Sequence, residues 1–202
     1  MKRTTAAAAA LALAFAVALA QGCGPGGTGT VTFNDLEIGD CTYAGDPLAN
    51  PEDFELPLHL LAAERFGDAL LIRLQDATSA AGNADGIYMT VGDVDLVTAG
   101  PSYDVGLDDN VEAVLYLLRT CPAGRPAVGL TGTVTFTAFE DRDGDGGPGF
   151  GDRIAGTLTA TGFDDSNPEA IVSADLVATF DFVMRRGHPS QRFPTYDAIE
   201  VY

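Results

Sequence analysis

Tryptophan is absent from this sequence, lysine occurs once, at Lys2, histidine twice and cysteine three times. Each scarcity removes a class of chemistry. With no lysine beyond Lys2, Schiff-base catalysis, a P-loop lysine and a Ser-Lys dyad are all excluded. His59 in "LPLHL" and His188 in "RRGHP" have no second ligand at metal spacing, so no zinc site is indicated. The five serines include none in a G-x-S-x-G setting. Basic charge is also short: 11 Lys and Arg face 29 Asp and Glu, for a formal net charge of -18. Two of those eleven, Lys2 and Arg3, stand at the very N-terminus. A surface this acidic repels phosphate backbones, which argues against nucleic acid as a partner. It also repels anionic headgroups, so any membrane attachment has to come from a lipid.

Long apolar runs are confined to one place. "MKR" is followed by "AAAAALALAFAVALA", then Gln21, Gly22, Cys23 and a Gly/Pro-rich stretch. A basic start, a short apolar run and small residues make a secretory signal peptide. The run is shorter than the roughly 20 residues a membrane span needs. Ala18-Leu19-Ala20 is an A-x-A cleavage site that would free a soluble periplasmic or secreted chain from Gln21. "AQGC", ending at Cys23, instead resembles the lipobox of bacterial lipoproteins. It has Ala20 where Leu is usual, Gln21 is atypical, and Gly22 and Cys23 fit. That resemblance implies removal of residues 1–22, a lipid on Cys23, and location in the cell envelope. The stretch 23–29 then reads as a Gly-rich tether, and 30–202 as a single domain. About 180 residues from Cys23 onward make one good core and not two.

Cysteine parity bears on the choice. Cys23, Cys41 and Cys121 leave one thiol over in an exported soluble domain. With Cys23 lipidated, Cys41 and Cys121 are free to pair in the oxidising compartment the signal peptide supplies. The alternative is two buried free thiols.

The rest of the chain reads as β. "GTVTFTAFE" puts Val134, Phe136 and Ala138 on one face and Thr133, Thr135 and Thr137 on the other. "RIAGTLTAT" does the same with Ile154, Leu158 and Ala160 against Thr157, Thr159 and Thr161. "SADLVATFDFVM", "TVTF", "LPLHL", "ALLIRLQ" and "GIYMTV" are further strands. "VEAVLYLLRTC" also fits a helical period, but its β-branched and aromatic content favours a strand. Turn clusters such as "GDPLANPED", "SAAGNADG" and "GLDDN" punctuate these runs. About eight or nine strands with one dry and one wet face predict an all-β fold. The expected form is an antiparallel β-sandwich, immunoglobulin-like or jelly-roll-like. Gly132–Glu140 and Gly156–Asp164 nearly repeat each other. They are expected to be the two arms of one hairpin, with threonines paired across it on the solvent face.

Between the arms lies "DRDGDGGPGFGD", Asp141 to Asp152. The calcium-loop pattern is D-x-[DN]-x-[DN]-G-x5-E. Asp141, Asp143, Asp145 and Gly146 occupy its first four specified positions, and Asp152 stands where the pattern has Glu. Calcium takes six to eight oxygens, and alternate carboxylates on a sharply bent chain converge on one point. The stretch resembles EF-hand-type loops and the Asp-rich loops of dockerins and thrombospondin type 3 repeats. That resemblance implies Ca2+ held by Asp141, Asp143, Asp145, the Gly147 carbonyl and Asp152. The strand flanks, the shorter Asp152 and Pro148 depart from the EF-hand pattern, and a solvated mobile loop is the competing reading. A second acidic cluster, Asp164, Asp165 and Glu169, is expected at the opposite end of the hairpin, too far away to share an ion. "RRGHPSQR" is the only basic cluster and is expected to meet the protein's own acids.

Two functions fit these residues. The first is a lipid-anchored cell-envelope protein, a non-enzymatic structural or binding module with a calcium-stabilised hairpin loop and an unknown protein or glycan partner. The second is a secreted or anchored hydrolase, acting on carbohydrate, with calcium as a structural ion. In the second case Tyr88, Tyr103 and Tyr116 would have to replace the missing tryptophans as sugar platforms.

Overall fold

The computed structural model describes residues 27–38, 42–43, 46–47, 52–77, 84–121, 127–163 and 172–185. The expected signal peptide, Cys23, Cys41, the cluster Asp164, Asp165 and Glu169, and the basic residues after Arg185 lie outside these.

In chain order the strands are β1 (Gly27–Ile38), β2 (Thr42–Tyr43), β3 (Asp46–Pro47), β4 (Glu52–Leu58), β5 (Leu60–Phe66) and β6 (Ala69–Gln75). They continue with β7 (Asp85–Val91), a short 3₁₀ turn (Val94–Leu96), β8 (Ser102–Val105), β9 (Val111–Leu117), β10 (Ala127–Phe139), β11 (Arg153–Phe163) and β12 (Val172–Val183). Ten of them form one sheet in the order β4-β1-β12-β11-β10-β8-β9-β7-β6-β5, while β2 and β3 pair separately. Every ladder in the main sheet is antiparallel except a single parallel bridge between Val105 and Val111.

The two ends of this sheet, β4 and β5, are consecutive in the chain and separated by His59 alone. β5 also lies against β1 and β12. The sheet therefore curls until its edges meet, nearly closing a barrel. This corrects the expected sandwich: the all-β class holds, but there is one mixed sheet and not two packed layers. β4 and β5 remain the sheet's two edge strands, each with a ladder on one side only among the described residues.

The interior is built as the alternation predicts. Val31 and Phe33 of β1, Val134 and Phe136 of β10, Ile154 and Leu158 of β11, and Leu176, Ala178 and Phe182 of β12 are all buried and share one core. Ile72, Met89, Val111 and Leu115 complete it from the other wall. β9 is a strand, and the reason is visible in its burial: Val111, Ala113, Leu115 and Leu117 go in while the residues between them stay half-exposed. A helix would have buried positions three and four apart.

β10 is the pivot of the sheet. Its first part pairs with β9 as far as Leu130, opposite Ala113. From Gly132, opposite Val105, it pairs with β8 instead. A Cβ at Gly132 would lie 2.1 Å from the Thr159 carbonyl oxygen, so only glycine lets β10 and β11 stay this close at the changeover. β8, in "PSYDV", is a strand that sequence reasoning missed, as are β5 beyond Leu60 and the short β2 and β3. β8 is four residues long and mostly exposed, so it carries little alternation.

β1 starts at Gly27, which pairs with Phe182. Residues 27–29 are thus strand, and the stretch expected as tether is shorter than 23–29. Along the wall β1-β12-β11-β10-β9 the register also fixes two ends. Gly27, Val183 and the segment between β10 and β11 lie at one end. Phe163, Ala127 and Leu117 point to the other.

Candidate functional site: the acidic hairpin loop and its surroundings

β10 and β11 form the predicted hairpin. Thr131, Thr133 and Thr135 stand opposite Thr161, Thr159 and Thr157. The hydroxyl row continues across neighbouring strands, since Thr157 faces Thr179, Thr179 faces Thr30, and Thr135 faces Ser102. Ser102 Oγ and Thr135 Oγ1 are 2.6 Å apart, and Thr30 Oγ1 and Thr179 Oγ1 3.2 Å. This is the wet outer face of the barrel wall.

At the end of the hairpin the loop is closed by Glu140. Its amide donates to the Arg153 carbonyl at 3.1 Å, and its Oε2 accepts from the Arg153 amide at 3.1 Å. Asp141 then organises the first half. Its carboxylate accepts from the amides of Gly144 (2.8 Å), Asp145 (3.1 Å) and Gly146 (3.1 Å). The bend this requires is left-handed at Gly144 (φ 68°) and Gly146 (φ 93°). A side chain at Gly146 would meet the Asp95 carboxylate at 2.5 Å, and one at Gly147 would meet Val94. The loop is thus folded down onto the 3₁₀ turn.

Arg65, at the end of β5, clamps it there. Its Nη1 donates to Asp145 Oδ1 at 2.7 Å and approaches the Gly147 carbonyl at 3.4 Å. Its Nη2 donates to the Asp145 carbonyl at 3.1 Å, and its Nε to the Gly67 carbonyl at 2.9 Å. At the far side of the loop Asp152 is buried. It accepts from the Gly149 amide at 2.9 Å and lies 3.6 Å from the Arg142 guanidinium, which also pairs with Glu140 at 2.6 Å.

These contacts set the charges. Partial desolvation alone would raise the Asp141 pKa, but the amides of Gly146, Asp145, Gly144 and Gly147 together outweigh it and hold the carboxyl below its ordinary range. The Arg153 amide, against some desolvation and aided by Arg142, does the same for Glu140. Asp181 is lowered chiefly by its hydrogen bonds to the Arg153 guanidinium, at 2.7 and 2.8 Å.

The expected calcium ligands are therefore distributed, not gathered. Asp141 serves backbone amides, Asp145 and the Gly147 carbonyl face Arg65, Asp152 is buried toward Gly149 and Arg142, and Asp143 stays exposed. Among the described residues no three His, Cys, Asp or Glu side chains are grouped to hold a metal ion. Arg65 was invisible to sequence reasoning. It lies 80 positions before Asp145, and no local pattern links the two.

Other candidates are also placed. His59 is exposed in the one-residue gap between β4 and β5. Ser102 bonds Thr135 rather than an imidazole. Tyr88 and Tyr116 meet edge to face at 4.9 Å, and Arg73 lies over Tyr88 at 5.2 Å, so these rings pack against each other and a buried guanidinium. Tyr103 is spent on Thr98: its hydroxyl accepts from the Thr98 amide at 2.7 Å.

The opposite end of the barrel holds a buried acid. Asp85 is fully buried and accepts from the amides of Arg119 (2.7 Å) and Thr120 (3.0 Å) and from the Thr120 hydroxyl (2.5 Å). The Arg119 guanidinium pairs with Asp76. Cys121 follows directly and is fully buried, while Cys41 lies outside the described residues.

Together these features define a class: an acidic, single-sheet, nearly closed β-barrel with one long loop pinned across an end. Compared with known proteins, the chain matches no family model, no curated protein and no solved structure.

Proposed function

We propose that this chain is a lipid-anchored cell-envelope protein acting as a non-enzymatic structural or binding module, with the 141–152 loop as a calcium-stabilised brace. The observation that carries the reading is the way the chain spends its polar groups. The barrel interior is filled by apolar side chains from nearly every strand of the sheet, and the loop carboxylates are used on amides and arginines that hold backbone segments together. That is how a scaffold is built. A protein or glycan partner would meet the outer walls.

Support for calcium comes from the spacing of Asp141, Asp143 and Asp145 and from the left-handed turn at Gly146. Asp145 would have to leave Arg65. The Gly147 carbonyl would have to leave it too, and Asp141 its amides; net of such rearrangement, a ligand at 100 times its Kd supplies roughly 2.7 kcal/mol. The test is thermal unfolding in excess calcium and in chelator. The midpoint rises with calcium, and Asp143→Ala blunts the rise; an unchanged midpoint overturns the calcium reading. For the anchor, Cys23→Ser releases the protein from the membrane fraction, and a variant that stays there refutes lipidation.

A Cys41–Cys121 bridge belongs to the same proposal. It would close a loop of about 80 residues, which corresponds to roughly 4–5 kcal/mol in the chain-entropy model. Its support is the complete burial of Cys121 beside the Asp85 anchor. Peptide mapping without reductant detects the bridge or two free thiols.

A further inference from the structure

Three of the exposed large apolar side chains stand beside the acidic loop or on it: Phe66, the last residue of β5, is 56% exposed, Leu96 of the 3₁₀ turn 64% and Phe150 of the loop 62%. They come from three separate segments that touch one another. Arg65, next to Phe66, holds Asp145 and Gly147. Asp95, next to Leu96, abuts Gly146, and the Val94 amide donates to the Asp68 carbonyl at 2.9 Å. Phe150 belongs to the loop itself. Exposed apolar groups collected at one end of a soluble fold mark a contact surface.

The start of β1 and the end of β12 lie at the same end as this loop. β1 begins at Gly27 opposite Phe182, and the Met184 amide donates to the Asp152 carbonyl at 2.7 Å. Only residues 23–26 separate Gly27 from Cys23. Four residues span at most about 14 Å. If Cys23 carries lipid, as proposed above, this end of the barrel is held within that distance of the bilayer, and the opposite end faces away.

We propose that this loop-bearing end is the membrane-facing surface, with Phe66, Leu96 and Phe150 entering the interfacial layer of a zwitterionic bilayer. The inference rests on the lipoprotein reading. The loop geometry suits it: Asp145, Asp141 and Asp152 turn their carboxylates onto Arg65, backbone amides and the Arg142 side, while Phe150 points out. Phenylalanine and leucine are favoured just inside the headgroups. Asp68, Asp93, Asp95 and Asp143 remain around the patch. They favour headgroups that carry an ammonium group and disfavour net anionic ones.

The absence of tryptophan makes a clean experiment possible. The full acylated chain is prepared as Phe150→Trp and, separately, as Val177→Trp, the latter on the outer wall of β12. Each is reconstituted into phosphatidylcholine vesicles with brominated acyl chains, and intact mass reports the acyl group. The expected result is a blue shift and strong quenching for Phe150→Trp, neither for Val177→Trp, and weaker quenching when phosphatidylglycerol is added. Absence of quenching at position 150 in a chain shown to be acylated overturns the seating while leaving the anchor intact. Quenching at both positions overturns it too, since the barrel would then lie on its side. Equal quenching in the two lipid mixtures overturns the headgroup preference. A blue shift at position 150 without vesicles, lost on truncation after Arg185, assigns the patch to this chain's own basic C-terminal segment instead. If the intact mass shows no acyl group, the anchor reading fails first, and the seating with it.

Discussion

Asp85→Ala tests the account of how the far end of the barrel is held. The carboxylate is fully buried and receives three donors: the Arg119 amide, the Thr120 amide and the Thr120 hydroxyl. Alanine removes both oxygens and supplies nothing to any of them. A buried donor left without an acceptor costs about 1–3 kcal/mol. The Arg119 amide is only part-buried and can find water, so the expected loss is about 3–5 kcal/mol. For a domain of this size that lowers the melting temperature by roughly 10 °C or more, out of a total stability of about 5–15 kcal/mol. Asp85→Asn keeps one acceptor oxygen for the two amides, and the freely rotating hydroxyl can turn to accept from the new amide group. Its cost is about 1–2 kcal/mol. The assay is urea unfolding with the m-value monitored, so that a changed denatured state is not read as lost stability. Thr120→Val closes a double-mutant cycle, with an expected coupling to Asp85→Ala of about 1 kcal/mol or more. A loss below about 1 kcal/mol for Asp85→Ala, or strictly additive Asp85 and Thr120 effects, would refute the assignment of Asp85 as the group that holds the turn before Cys121.

Arg65→Met should free the acidic loop with little change in global stability, about 0–1 kcal/mol, because Asp145 is exposed and the part-buried methylene stem of Arg65 is replaced by an apolar chain. Hydrogen exchange at Gly144–Gly151 should quicken several-fold; unchanged exchange means the clamp does not order the loop. The acid side of the stability curve has a defined sign. Glu140, Asp141 and Asp181 have folded pKa values below their ordinary ones, so their contribution is complete above the usual carboxylate range and is lost as pH falls through the folded values. Stability should fall on acidification below about pH 4, and Asp141→Asn should flatten that slope. A melting temperature that holds or rises from pH 5 to pH 3 contradicts the assigned contacts.

Local pattern carried much of the fold. The β10–β11 hairpin, its paired threonines and the Glu140–Arg153 closure were legible because alternation and turn chemistry act over neighbouring residues. The choice of strand for β9 was legible for the same reason, and burial shows it residue by residue. The wet and dry faces of β1, β11 and β12 follow equally from period two. What alternation cannot tell is whether the dry face looks onto a second sheet or onto the same sheet curled round. Both bury one side of each strand. The sandwich expectation failed at that point, because the outcome depends on β4 and β5 being one bent run at His59 and on β10 changing partners at Gly132.

The acidic loop divides in the same way. Its composition, its glycines and its position at a hairpin end are properties of twelve consecutive residues, and the sequence by itself determines them. Where its carboxylates point is not. Arg65 on β5, Val94 and Asp95 on the 3₁₀ turn and Met184 beyond β12 meet the loop only because the curled sheet brings four distant segments to one end. The same closure brings the segments that carry Phe66 and Leu96 against the loop that carries Phe150. Charge and strand pattern are written locally, since each depends on residue type and near neighbours. The clamp on the loop is set by long-range pairing, which only the folded chain supplies.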